Sequence, residues 1–203
     1  MIPDSYFERF DTQKYRNANP VQRHLIRRFT GTLHSFLVAA SPIKTVLEVG
    51  VGEGFISGYL SEHFPDIDFC GVELNPDDVV RLKEKFPRVE AHVGNIYELD
   101  FLDRQFDLVI CAEVLEHVDQ PQRAITQLRQ RTGGHAIFSV PHEPWFMLSN
   151  LARGKNIQRL GNDIEHLNHF GKRSFQELLE SEFDVLELTT AYPWLVSYSK
   201  PRG

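Results

Sequence analysis

The chain has only two cysteines, no low-complexity stretch and no apolar run near the ~20 residues that a bilayer-spanning helix needs. Each absence excludes a class. Two cysteines cannot build a disulfide scaffold, and Cys70 and Cys111 both sit in apolar, strand-like runs, which suits buried thiols in a reducing, cytoplasmic setting. No unit recurs at a period of roughly 20–50 residues, so a solenoid is not expected. No Pro/Ser/Gly linker divides the chain, so residues 1–203 are expected to form one domain. Positive charge is scarce: 22 Lys and Arg stand against 28 Asp and Glu, a net −6, which argues against a general nucleic-acid binder. The opening MIPDSYFERFDTQKYR is polar and acidic, so neither a signal nor a transit peptide is expected. What remains is 41% hydrophobic and 25% charged, an ordinary globular balance.

Residues 19–40 carry apolar side chains at 25, 26, 29, 33, 36 and 37, and Pro42 follows: an amphipathic helix is predicted within an N-terminal helical segment, 1–43. From residue 44 the pattern alternates. Strands are predicted at 44–50, 67–74, 88–94, 106–114 and 134–141, with helices between them, one carrying Pro76 in its first turn. A helix in "SFQELLESEF" and strands in "DVLELTTAY" and "WLVSYSK" follow. Such alternation predicts a doubly wound, mostly parallel α/β sheet with helices on both faces. Ligands of these sheets bind beyond the carboxyl ends of the strands, so 44–141 should form the binding core.

At the first of those strand ends the sequence reads Glu48-Val-Gly50-Val-Gly52-Glu-Gly54. Glycines here allow a positive φ and remove the Cβ, so a ligand can lie against the main chain. An empty tight turn would need the same residues. A second feature is Glu73, about twenty residues on at the end of the next strand, where an acid accepts hydrogen bonds from ribose hydroxyls. Together they point to an adenosine ligand. The dinucleotide pattern G-x-G-x-x-G fails, because Phe55 stands at its third glycine. Glu48 and Glu53 would also repel a pyrophosphate and tolerate a cation.

This stretch resembles the first motif of the class I S-adenosylmethionine-dependent methyltransferases, E/D-x-G-x-G-x-G, and three further motifs follow in order: "GVELNP", "GNIYELDF" and "FDLVICAEVLEHV". The resemblance covers residues 44–141 and implies a Rossmann-like sheet of seven strands with S-adenosyl-L-methionine as cofactor. It implies cofactor contacts from Glu48, Gly50, Gly52, Gly54, Glu73, Leu74, Asn95, Ile96, Glu113 and Val114. Asn95 stands where the family usually has Asp, and its amide oxygen can still accept from the adenine amine. "NPVQRHLI" is similar to the N-P-x-R segment of the ubiquinone-type O-methyltransferases, which implies that Arg23 meets the cofactor carboxylate; it comes one residue later than in that pattern, and a solvent-facing arginine is the plain alternative.

Glu113, Glu116 and His117 fall within five residues. They can fix a turn while Val114 walls the methionine pocket, or bind a divalent metal with His166 or His169, or supply His117 as a base. The first reading is preferred, so no metal and no catalytic residue is assigned. Residues 142–175 are long for a crossover and should cover the crevice as a substrate lid. Trp145, Phe146, Met147, Leu148 and Leu151 form an apolar stripe beside Arg153, Lys155 and Arg159. That leaves open a plain core lid, a pocket for a hydrophobic or anionic acceptor, and peripheral contact with a membrane surface. The expected function is methyl transfer to a small-molecule acceptor, first at oxygen. A non-catalytic cofactor-binding regulator and an NAD-dependent oxidoreductase are the rivals.

Overall fold

The computed structural model describes residues 2–144, 147 and 166–203. Its helices are α1 (Asp4–Phe7), α2 (Gln13–Arg16), α3 (Pro20–Ala40), α4 (Phe55–His63), α5 (Pro76–Lys85), α6 (Pro121–Arg131) and α7 (Lys172–Leu179); its strands are β1 (Thr45–Val49), β2 (Asp68–Glu73), β3 (Val89–Val93), β4 (Phe106–Ala112), β5 (Thr132–Pro141), β6 (Phe183–Ala191) and β7 (Trp194–Pro201). The seven strands form one sheet in the order β3-β2-β1-β4-β5-β7-β6. Strands β1 to β5 pair in parallel, and β7 runs antiparallel to both β5 and β6. This is the doubly wound, Rossmann-like sheet expected above.

Local chemistry sets the boundaries. Asn19 caps α3 by accepting from the N–H groups of Val21 (2.9 Å) and Gln22 (3.2 Å), with Pro20 entering the first turn. Asn75 caps α5 through the Asp77 N–H, 3.0 Å, and Asp77 and Asp78 add negative charge to that first turn. Strand β4 stops at Ala112, two residues before its expected end, because Glu113 turns into left-handed backbone at φ 57° and cannot continue an extended ladder.

Two apolar cores flank the sheet. On one face α3, α4 and α5 contribute Phe29, Leu33, Phe55, Leu60, Val79 and Leu82 against Val46, Leu108 and Ile110. On the other, α6 and α7 contribute Ala124, Ile125, Leu128, Phe175 and Leu179 against Leu47, Val72 and Val109. Cys70 and Cys111 are buried free thiols in that second core. The opening segment joins the first core: Ile2, Tyr6, Phe7 and Phe10 are buried although their neighbours are polar. Each fully buried phenylalanine there contributes about 1.5–3 kcal/mol. Among the described residues, no helix is long and apolar enough to cross a membrane. The stripe from Trp145 to Leu151 (Met147 apart) and the cations Arg153, Lys155 and Arg159 lie outside the described residues.

Candidate active site

The turn from β1 into α4 holds Gly50, Gly52 and Gly54 at φ 78°, 52° and 87°. The three are needed for different reasons. A Cβ on Gly50 would strike Val114, and one on Gly54 would strike Leu82, with Phe86 at 3.1 Å. A Cβ on Gly52 would meet nothing within 4 Å. Gly52 is therefore where the main chain is bare toward open space.

Glu73 ends β2 beside it. One carboxylate oxygen accepts from the Gly52 N–H at 2.9 Å and the other from Asn75 N–H at 3.0 Å. Each oxygen has a second lone pair, which leaves two acceptors for a vicinal diol. Leu74, the next residue, is 69% exposed, an apolar face with no protein cover. Across the β3 end, Asn95 accepts from Tyr97 N–H at 3.0 Å with its side-chain oxygen, and Ile96 is buried. Glu73, Leu74, Asn95 and Ile96 thus lie on neighbouring strand ends, as Gly94 N–H to Glu73 O at 2.9 Å records.

The two other acids of the turn have different partners from those expected. Glu48 is buried and accepts from both the N–H (2.9 Å) and the hydroxyl of Ser57. Burial pushes its carboxyl up to about 8, against the pull of those hydrogen bonds. Glu53 was expected to bear on ligand charge. It instead accepts from Asp11 N–H at 3.0 Å, from Thr12 N–H at 2.8 Å and from the Thr12 hydroxyl, and pairs with Lys85. Burial opposes its ionisation, yet these donors hold it down at about 2. Its charge is neutralised within the protein, so it cannot discriminate between ligands.

The opening segment packs against the start of α4. Tyr15 stacks on Phe55 with ring centroids 3.9 Å apart and planes 2° from parallel, and the Tyr6 hydroxyl donates to Phe55 O at 2.9 Å. The first turn of α4 is thereby covered at Phe55 by a strap, residues 2–16.

The strap ends on the turn after β4. Lys14 pairs with one carboxylate oxygen of Glu113, and Trp194 Nε1–H donates to the other. Lys14 Nζ also lies 5.5 Å from the ring centroids of Tyr15 and Trp194. Burial disfavours the Lys14 ammonium, but Glu113 outweighs it and raises the group above its ordinary range. Arg23 is engaged elsewhere: it pairs with Asp4 at 2.8 Å, donates to Asn17 O and lies over Phe7. Lys14, Tyr15 and Trp194 were not singled out from the sequence, and no local signal could have found them, since Glu113 lies 99 residues from Lys14 and 81 from Trp194.

Glu113, Glu116 and His117 do not act as one group. Glu116, His117 and His166 have ligand atoms within 4.8 Å of one another, while His169 is exposed. Leu167 and Asn168 N–H groups donate to Glu116 O, which brings residue 166 to this turn. Glu116 is buried, and among the described residues its Oε2 has no hydrogen-bond partner; burial, then Glu113, raises its carboxyl well above the usual range. A carboxylate and two imidazoles make a donor set for a divalent transition ion. His142, just after β5, donates its backbone N–H to Pro193 O at 2.8 Å, and burial, then Lys172, lowers its imidazole below the ordinary range.

Comparison with known proteins follows the same geometry. A family model described as "Methyltransferase domain" matches residues 21–187. The mitochondrial ubiquinone biosynthesis O-methyltransferase of Saccharomyces cerevisiae is 34% identical over 163 residues, 72% of this chain and 52% of that protein. Malonyl-[acyl-carrier protein] O-methyltransferase of Herminiimonas arsenicoxydans is 32% identical over 106 residues, 51% of this chain and 40% of that protein. The chain spans about half the length, or less, of the curated relatives it matches. Among solved structures, magnesium protoporphyrin IX methyltransferase from Synechocystis PCC 6803 superposes with a TM-score of 0.70 at 18% identity, over 98% of this chain and 95% of that one.

Proposed function

The chain belongs to the methyltransferase domain family, and we propose that it transfers the methyl group of S-adenosylmethionine to oxygen on a small-molecule acceptor. One observation carries the cofactor reading: Glu73 faces the bare main chain of Gly52, with acceptors to spare for a ribose diol, while the strap covers the first turn of α4 at Phe55. The residues present fit the group. Leu74 and Ile96 would sandwich the adenine, Asn95 would accept from its amine, and Val114 beside Gly50 would wall the methionine arm. Glu48 supports this turn from below through Ser57 rather than touching ligand. The oxygen acceptor is supported by the relatives named as O-methyltransferases.

S-adenosylmethionine supplies an electrophilic methyl on a sulfonium; the protein's part is to align the nucleophile with it. Such positioning contributes about 7–11 kcal/mol of barrier lowering. A phenolate or carboxylate acceptor needs no base. A hydroxyl acceptor does, and His142, the residue after the carboxyl end of β5, is a candidate for that base.

Titration calorimetry with S-adenosylhomocysteine and with NAD tests the first half. Heat with the former and none with the latter is expected; the reverse result revives an oxidoreductase. Release of S-adenosylhomocysteine on incubation with pools of phenols, carboxylic acids and lipid-like alcohols tests the second. Tight cofactor binding with no turnover in any pool would mean a non-catalytic member. Each pool is run with and without a chelator, because of the Glu116, His117 and His166 group.

A further inference from the structure

Two charged side chains from distant parts of the chain meet at the crevice end of β4 with no evident need to do so. Lys14 belongs to the strap and Glu113 to the turn that follows β4, and they form an ion pair that keeps some solvent contact, with side chains 34% and 21% exposed. Both are placed deliberately. Glu113 is the one described non-glycine residue with a positive φ, 57°, a conformation that costs free energy unless its surroundings enforce it. Those surroundings are Ser139 O, which accepts its N–H at 3.0 Å, and Trp194 Nε1–H, which fixes one carboxylate oxygen. Lys14 is delivered by the hydrogen bonds of Asp11 and Thr12 to Glu53 in the glycine turn itself, and by the stack of Tyr15 on Phe55.

The pair's position follows from its neighbours. Val114, adjacent to Glu113, packs on Gly50, so the pair borders the glycine turn from the β4 side, while Glu73 borders it from the β2 side. A ligand whose sugar lies on Glu73 and crosses Gly52 therefore extends toward Lys14 and Glu113. An ammonium has three donors and each carboxylate oxygen two lone pairs, so both partners keep capacity after pairing. A cation and an anion side by side complement a zwitterion better than either complements a lone charge.

We propose that the Lys14–Glu113 pair holds the amino-acid end of the cofactor, Lys14 on its carboxylate and Glu113 on its ammonium. The inference rests on the S-adenosylmethionine reading given above. It assigns to the strap the role that the sequence pattern suggested for Arg23, whose guanidinium is committed to Asp4 and Asn17 O. The carboxylate partner is complete only with residues 11–15 in place, where the contacts of Asp11, Thr12 and Tyr15 hold Lys14.

Titration of two nucleosides against Lys14→Met, Lys14→Arg, Glu113→Gln and Arg23→Met separates this from a purely structural latch. S-adenosylhomocysteine carries the amino-acid end; 5′-methylthioadenosine has the same nucleoside without it. The expected result is a loss of about 10- to 100-fold for S-adenosylhomocysteine with Lys14→Met, the range for a charge-assisted hydrogen bond, while methylthioadenosine changes less than about threefold. Lys14→Arg should restore most of the ratio, and Glu113→Gln should lower it in the same sense. Equal losses for both nucleosides, or none, with thermal unfolding showing an intact fold, would mean a latch and overturn the inference. A ratio lost with Arg23→Met alone returns the carboxylate to Arg23 and overturns it too. If the wild-type chain binds neither nucleoside, it is the cofactor reading itself that has failed.

Discussion

Val114 fills the space that a side chain on Gly50 would need, whereas the same point on Gly52 faces nothing within 4 Å. Two glycines of one turn are thus required for opposite reasons, one by packing and one by access. Gly50→Ala should lower stability by roughly 2–5 kcal/mol, from overpacking against Val114 together with its φ of 78°. Gly52→Ala meets only the conformational cost of φ 52°, about 1–2 kcal/mol, and should lose less stability than Gly50→Ala. Its defect should appear instead as a loss of S-adenosylhomocysteine affinity of tenfold or more, taking a displaced ligand as losing about 1.4 kcal/mol or more. Paired thermal melts and titrations check both.

Glu73 accepts two backbone hydrogen bonds, one on each carboxylate oxygen, and each oxygen keeps a second lone pair. Hydrogen bonds to a charged group contribute about 1.5–3 kcal/mol each. Glu73→Ala should therefore weaken S-adenosylhomocysteine binding by at least about tenfold, and by much less for an analogue lacking the 2′- and 3′-hydroxyls. Equal losses for both ligands would show that Glu73 only shapes the turn.

Glu53 ties the strap to α5 and is held at about 2 by Asp11, Lys85 and Thr12 donors against the opposing effect of burial. Its folded value lies below the ordinary ~4.3 of the unfolded chain, so its contribution is fully present above that value. It is lost as pH falls from about 4 toward 2. Glu53→Gln should lower the melting temperature at pH 7 and flatten its fall between pH 5 and 3. A variant curve parallel to wild type over that range would contradict the assignment.

Glu48 has the opposite sign. Burial keeps it protonated in the fold up to about 8, while the unfolded chain ionises it near 4.3. The folded state binds the extra proton in that window, so stability falls as pH rises through it. Glu48→Gln removes the titration and should flatten the decline of melting temperature between pH 5 and 8 in the ligand-free protein. An unchanged slope would mean that Glu48 is ionised throughout.

The parallel core was legible because its strands are short, β-branched and punctuated by Gly or Pro, and because a strand buried on both faces reads as a continuous apolar run. The glycine turn and Glu73 were legible for a related reason: they sit at fixed places relative to strand ends, so chain order alone puts them side by side. Glu53 shows the limit. An acid in a ligand-binding turn reads as an electrostatic filter, and only the arrival of Thr12 and Lys85 turns it into a strut.

The strap was less legible still. Tyr6, Phe7, Phe10 and the half-buried Tyr15 are spaced too irregularly among polar residues to give a helical or strand period, so their packing is invisible until Phe55 of α4 and Phe86, just after α5, are brought to them. The sequence by itself determined the alternating elements of the parallel half, the glycine turn and an acid at the next strand end, because these follow from local periodicity and from the long crossovers that parallel pairing needs. Tertiary structure alone decided which charges meet. Lys14 meets Glu113 and Arg23 meets Asp4 through long-range packing, and an ion pair between residues 99 apart leaves no trace in either residue's neighbours.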